Sequence, residues 1–424
     1  MQFDRTYLRA LVIAGLLGLP VAVAAVAFTS SIHGLESLVW HEIPDVLDWS
    51  EPPWWFVMLV PALAAIPVAL SFKLPGGGGH GPLDGLAFGP VPITFVPSIL
   101  IAGIASLALG PVVGPEAPLL ALGLALGSFA GQVLGRADND MQLLTVAGAF
   151  AAAATVFAGP FPVAMMLFEL IAVAGAVPIA AVIRLLAPGL LSAGVGMMVF
   201  TGIADWPGVH QLQLGIPGLP DYETIRITDA LWAIPIAVAV TFITAGVGTA
   251  AAKLAGVAAA RPPLPVLAVA GLTVGASAVL FRAIAGEPVE LVLFSGQAAT
   301  ATVALNTSVG VLAAVMVFKA VAFAVSVGAG FRGGMIFPAV LIAIAFGALC
   351  AEVLPGLDVT PAVLAATAAA SAAALRAPFF GAVLATLLAG SLAADVAPIT
   401  VLAAVVAWQA TTLLPAPPAE EAPA

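Results

Sequence analysis

Glu116 lies in the run Gly114-Pro-Glu-Ala-Pro118, between long apolar stretches, where a helix is expected to begin. A carboxylate inside a bilayer costs on the order of a few kcal/mol or more and points to function by default. A helix that starts within the membrane leaves its first N–H groups unpaired and carries about half a positive charge at that end. A carboxylate placed there can fill an anion site while charged and leave it when it takes up a proton. The competing reading is a buried acid satisfied for structural reasons.

Three Gly/Pro clusters are positioned to open such helices: residues 76–79, Gly114-Pro115 and Gly333-Gly334. Glycine lets backbone approach an ion closely, and several helix starts aimed at one point form an anion site without a full cation. The candidate anion-binding residues are therefore Gly77, Gly78 and Gly79, then Gly114, Pro115 and Ala117, then Gly334, Met335, Ile336 and Phe337. Close helix packing explains any one of these glycines equally well; the repeated frame is what favours an anion site. Glu169, in the apolar run 165–173, is either a structural acid or part of a proton pathway. Lys319 and Arg376 are intramembrane cations that either raise the local potential for an anion or pair with acids. His80 is read as a polar interface residue and Asp138-Asn-Asp140 as a solvated loop rather than a metal site. No metal-ligand cluster and no nucleophile beside a base is visible, so neither enzyme, metal nor cofactor is expected.

The elements that must carry these residues are membrane-spanning helices. Of 424 residues, 62% are hydrophobic and 8% charged, against about a quarter charged in soluble domains. Apolar stretches over 8–28, 54–72 and 91–109 match the roughly 20 residues that a spanning helix needs, and no alternating β-barrel pattern appears. Polar breaks are expected near 29–53, 136–140, 203–228, 258–263, 282–290 and 355–360. Arg5 and Arg9 precede the first stretch, and the loop after it holds Glu36, Glu42, Asp45, Asp48 and Glu51 without a cation. The positive-inside rule then puts the N-terminus in the cytoplasm, with the chain in the plasma (inner) membrane. No basic patch suggests nucleic acid. Cys350 stands alone, which excludes an intrachain disulfide. Residues 415–424 read as a disordered tail.

The chain also repeats itself. At a constant offset of 220, Gly110 matches Gly330, Gly114 matches Gly334, Pro118 matches Pro338 and Gly127 matches Gly347. Downstream, Phe157-Ala-Gly-Pro-Phe corresponds to Leu375-Arg-Ala-Pro-Phe. One transmembrane domain over 1–414 is expected, made of two repeats, about 1–203 and 225–414. Corresponding broken helices in two halves are a pointer to a transporter site.

These motifs resemble those of the CLC chloride channel and transporter family, in a divergent bacterial-type form without cytoplasmic regulatory domains. Gly77-Gly-Gly-His-Gly-Pro-Leu-Asp-Gly85 is similar to that family's Gly-Ser-Gly-Ile-Pro-Glu-x-Glu-Gly. Gly114-Pro-Glu-Ala-Pro118 resembles Gly-Arg-Glu-Gly-Pro, with Glu116 on the gating glutamate. Lys319 with Gly328-Ala-Gly-Phe-Arg-Gly-Gly-Met-Ile-Phe-Pro338 is similar to Lys…Gly-Ser-Gly-x-x-Gly-Gly-x-Phe-x-Pro. The helix from Phe157 to Glu169 resembles Phe-x-Ala-Pro-x-x-Gly-x-x-Phe-x-x-Glu, with Arg376-Ala-Pro378 as its counterpart. The resemblance implies an all-α polytopic, inverted-repeat fold with broken and re-entrant helices. It implies a homodimer with one pore per subunit, and anion coordination by the amides of Met335 and Ile336.

The departures sharpen the expectation. Gly78 stands where the family has its central serine, no tyrosine is placed to match the pore tyrosine, and the third motif's phenylalanine is shifted to Phe337. Family exchangers carry an inner proton-transfer glutamate one position after Glu169; here that position is Leu170. The expected function is a chloride channel or uncoupled anion transporter gated by Glu116. A chloride/proton antiporter is the alternative, and an unrelated inverted-repeat solute carrier the more distant one.

Overall fold

The computed structural model describes residues 5–85, 89–135, 138–157, 159–173, 179–203, 206, 215–222 and 224–414. The expected tail at 415–424 lies outside the described residues. The first group of helices is α1 (Arg5–Ser37), α2 (Ile43–Val46), α3 (Trp54–Leu63), α4 (Ala65–Ser71), α5 (Val96–Ala108), α6 (Glu116–Val133), α7 (Asp138–Ala154), α8 (Pro160–Val173) and α9 (Ile179–Gly202). The second is α10 (Ile227–Ala258), α11 (Pro263–Ala285), α12 (Thr300–Ala304), α13 (Val309–Ala329), α14 (Ile336–Val353), α15 (Val359–Leu375), α16 (Pro378–Leu388) and α17 (Ala393–Thr411). Among the described residues, nine helices are long and apolar enough to cross a membrane.

Two boundaries differ from the sequence expectation. The first helical stretch does not stop near 28 but continues through a π-helical turn at Leu38–Glu42 and spans Tyr7–Val46. Its polar residues do not end it, because Thr29 and Ser31 donate their hydroxyls back to carbonyls of the preceding turn. That bonding satisfies the side chain within the helix. The stretch 91–109 is not a full span: α5 has 13 residues. Pro92 is extended, at φ −61 and ψ 136, and proline biases the residue before it away from helix.

The packing pattern of the first half returns in the second. Helix α6 packs on α7, and α7 on α1, α8 and α9; α14 packs on α15, and α15 on α10, α16 and α17. Matched glycines make the matched crossings close. A Cβ at Gly127 would run into the backbone of Leu144 and Thr145 on α7. One at Gly347 would lie 2.7 Å from the Ala362 carbonyl on α15. Ala-rich α15 is buried along most of its length, since small side chains let helices approach from several sides.

The halves meet at their broken helices through reciprocal bonds. Gly114 N–H donates to Gly334 O at 2.8 Å and Gly334 N–H returns the bond to Gly114 O at 2.6 Å. Ser326 on α13 accepts the Val112 N–H at 2.9 Å, and Ser106 on α5 accepts the Arg332 N–H at 3.0 Å. The two serines, like the two amides, stand at the 220-residue offset. This exchange is the two-fold pseudosymmetry of a repeated unit, read in hydrogen bonds.

Candidate functional site

Pro115 and Met335 are the residues before the first turns of α6 and α14. The Gly114–Gly334 bridge holds these two helix starts side by side. Glu116, 2% exposed, turns its side chain across the bridge, and its Oε1 accepts the Ile336 N–H at 2.7 Å. The amide of Phe337 also bears on this carboxylate. Oε2 is buried with no hydrogen-bond partner. With Glu116 in this position neither bridge residue has room for a side chain: a Cβ at Gly114 or Gly334 would fall within the Glu116 carboxyl group. The negative charge thus sits where α14 presents unpaired N–H groups, which is where an anion would bind.

Phe337 faces a different neighbourhood. Its ring stacks on Phe157 at 5.9 Å between centroids, and Phe157 meets Phe380 edge-on at 5.2 Å. All three rings are buried. They join the N-terminal end of α14 to that of α16.

Gly78 and Gly79 line a cavity with His80, Ala117, Pro118, Arg332 and Gly333. The glycine run reaches the site, but not as a helix start. Residues 76–79 all have positive φ, from 55 to 87, and form successive turns after α4; the next helix of more than three residues begins at Val96. Four left-handed residues cannot nucleate a right-handed helix. Gly78 offers no hydroxyl, and the Ser71 hydroxyl beside it already donates to Val68 O at 2.7 Å.

Glu169 is held on both oxygens. Oε1 accepts the Phe379 N–H at 2.7 Å and Oε2 the Phe380 N–H at 2.8 Å. The carboxylate thereby caps the first turn of α16. Lys319 is fully buried, and its Nζ donates to the carbonyls of Val292, Leu293 and Phe294 at 2.9–3.2 Å. That loop in turn reaches the Glu116 motif, because Phe294 N–H donates to Gly110 O at 3.2 Å. A loop thus links Lys319 to the segment that carries Glu116. Arg376 closes α15 in a left-handed conformation, φ 55 and ψ 33, two residues before α16.

Arg332 is the cation that sequence reasoning passed over. It lines the cavity beside Gly333, and its Nη2 donates to Gly77 O at 3.2 Å. Its place within the Gly330–Gly334 run was the available signal. Ser106 and Ser326 were also missed, although they share the offset that exposed the repeat. Among the described residues no group of three or more His, Cys, Asp or Glu side chains could hold a metal.

With this geometry in place, the chain can be compared with known proteins. A family profile described as Voltage gated chloride channel matches residues 78–411. The chain belongs to the voltage gated chloride channel family. Within it, YfeO of Escherichia coli O1:K1 / APEC, whose name assigns it to ion transport only provisionally, is 30% identical over 328 residues. The match covers 76% of this chain and 74% of that one. The X-ray structure of a slow cyanobacterial Cl⁻/H⁺ antiporter superposes with a TM-score of 0.72 at 19% identity, over 96% of this chain and 95% of the other. A CLC-type fluoride/proton antiporter gives 0.68 at 17%, over 96% of both chains. The fold is therefore that of this voltage gated chloride channel family: an all-α, inverted-repeat integral membrane protein with broken helices.

Proposed function

We propose that this protein is a channel or uncoupled transporter for chloride or a similar small anion, gated by the Glu116 side chain. The observation that carries the reading is the difference between the two intramembrane glutamates. Glu116 is held at Oε1 by the Ile336 amide, with the Phe337 amide bearing on it, and leaves Oε2 without a partner, so the helix start fastens only one of its two oxygens. Glu169 has both oxygens fixed by α16 and is not free to relay a proton. When Glu116 is charged it fills the position that an anion would take at Ile336; protonated, it gives that position up. The backbone amides of Met335, Ile336 and Phe337, with the wall of Gly77, Gly78, Gly79, Gly114, Pro115, Ala117 and Gly334, then surround the anion, and Lys319 and Arg376 support the frame.

A chloride/proton antiporter is the second reading, favoured by the antiporters among the solved relatives in fold. In it Glu169 is the first proton carrier to consider. The two repeats divide near 203–225. The working unit is a homodimer with a pore in each subunit, formed along α8 and α16, where Phe161 and Phe379 are large exposed rings. It lies in the inner membrane with the N-terminus in the cytoplasm.

Purified protein in chloride-loaded liposomes tests the function. Chloride efflux should rise as the external pH falls, with no proton pumped uphill by a chloride gradient. Glu116→Gln should hold the efflux high and nearly independent of pH. A Glu116→Gln protein with the full wild-type pH response removes the gate from Glu116, and stoichiometric proton pumping selects the antiporter.

A further inference from the structure

We propose that Arg332 holds an incoming small anion at the mouth of the Glu116 site, in the cavity it lines with Gly78, Gly79, His80, Ala117 and Gly333. This rests on the reading of Glu116 as the gate of an anion path.

The guanidinium is fixed from several sides yet left with capacity to bind. Its backbone N–H goes to Ser106 and its Nη2 to Gly77 O. One face covers the Phe72 ring, 4.7 Å from the centroid. Its Nε is buried and has no partner. The acid nearest in sequence to the glycine run, Asp84, spends an oxygen on the Gly81 N–H at 2.6 Å, and no ion pair engages Arg332 among the described residues. Asp84 acts on the guanidinium through charge from beyond ion-pair distance, and the buried Nε donor that it leaves unpaired is costly unless a ligand completes it. A guanidinium is also weakly hydrated and gives up water for a soft monovalent anion more readily than an ammonium.

Its position gives that capacity a direction. Gly333 and Ala117, in the same cavity wall, adjoin Gly334 and Glu116 in the chain. Arg332 also borders a second, more open cavity with Asp84, Ala255, Arg261 and Gly330. Exposed Arg261, part-buried Arg332 and the start of α14 thus form a succession of positive sites leading inward. Two arginines against the one carboxylate of Asp84 leave this cavity net positive, and a cleft with such an excess raises the local concentration of its counter-ion.

Bromide is the probe. Crystals of the full chain grown in bromide should show anomalous density within hydrogen-bond distance of the Arg332 guanidinium. In liposomes, Arg332→Gln should raise the half-saturating chloride concentration about tenfold, the lower end of what charge focusing supplies. The effect should appear on one face of the membrane only. Arg332→Lys keeps the charge and should recover most of the loss, which a role confined to fixing Gly77 would not produce. Bromide bound elsewhere but not at Arg332, or an unchanged half-saturation in Arg332→Gln, overturns the proposal. Wild-type liposomes that pass no chloride would defeat the reading of Glu116, while the bromide density would still decide the site at Arg332.

Discussion

Glu116 accepts the Ile336 N–H at 2.7 Å across 220 residues of sequence, so an acid on the first turn of one broken helix caps the first turn of its repeat mate. Glu169, from the C-terminal part of α8, likewise caps the first turn of α16. The paired helices differ in how tightly the acid is fastened, and the first three predictions follow from this and from the loops behind it.

Gly334→Ala puts a methyl group where the Glu116 carboxyl group lies. The clash should cost about 1–3 kcal/mol, as overpacking of a filled core does, and push Glu116 off the amide of Ile336. Thermal unfolding in detergent should show a lower Tm for Gly334→Ala alone. In a Glu116→Ala background the same change should cost little, because the two substitutions share one space. Additive losses in the double variant would show that Gly334 is required for another reason.

Glu169→Ala strips the cap from α16 and orphans two N–H groups. Leaving buried donors unpaired costs about 1–3 kcal/mol, so Tm should fall while chloride flux per folded protein stays near wild type. Glu169→Gln, which can accept at only one of its two terminal atoms, should fall between. If either variant abolishes uphill proton movement with chloride flux intact, Glu169 is a proton carrier and the protein an antiporter.

Lys319→Met should be the most damaging of these changes. It leaves three carbonyls without their donor, and each buried acceptor left unsatisfied costs about 1–3 kcal/mol. The yield of monodisperse protein after solubilisation should drop sharply. The chloride-to-nitrate permeability ratio of whatever remains should not change, because Lys319 reaches the site only through residues 292–294. A changed ratio in well-folded protein would place Lys319 in the path itself.

Outside the spans, Tyr222 donates to Asp229 at 2.8 Å, and Arg226 bridges Asp229 to Asp358 at the start of α15. Burial, then the hydrogen bond and charge of Asp229, push the Tyr222 phenol up to about 12. The folded value lies above the ordinary tyrosine value of about 10. The stabilisation is therefore complete below about pH 10 and is lost as pH rises through about 12. Tyr222→Phe should flatten the alkaline fall of Tm over that window; an unchanged fall would trace it to other groups.

Particular residues show what the sequence could reveal. Glu116 stood out because a carboxylate in an apolar run needs a reason, and the offset that matched Gly114 to Gly334 named the two residues that form the bridge. Residues 76–79 were misread as a helix start because composition identifies glycine but not the sign of φ. The capping of α16 by Glu169 was invisible, since a contact across 210 residues leaves no periodicity in either segment. Arg332 was overlooked because a cation in a polar-looking glycine run resembles a solvated loop until the fold folds Phe72 and Gly77 around it.

The reciprocal bonds of Val112, Gly114, Arg332 and Gly334 also constrain motion. Alternating access by rocking one half against the other would separate these partners and strand four N–H groups in a dry interior in every cycle. Closing them again on each turnover would make conformational exchange slow compared with the rotation of a single side chain. The seam between the halves thus behaves as a weld rather than a hinge, and the moving part that it leaves is the carboxylate lying across it.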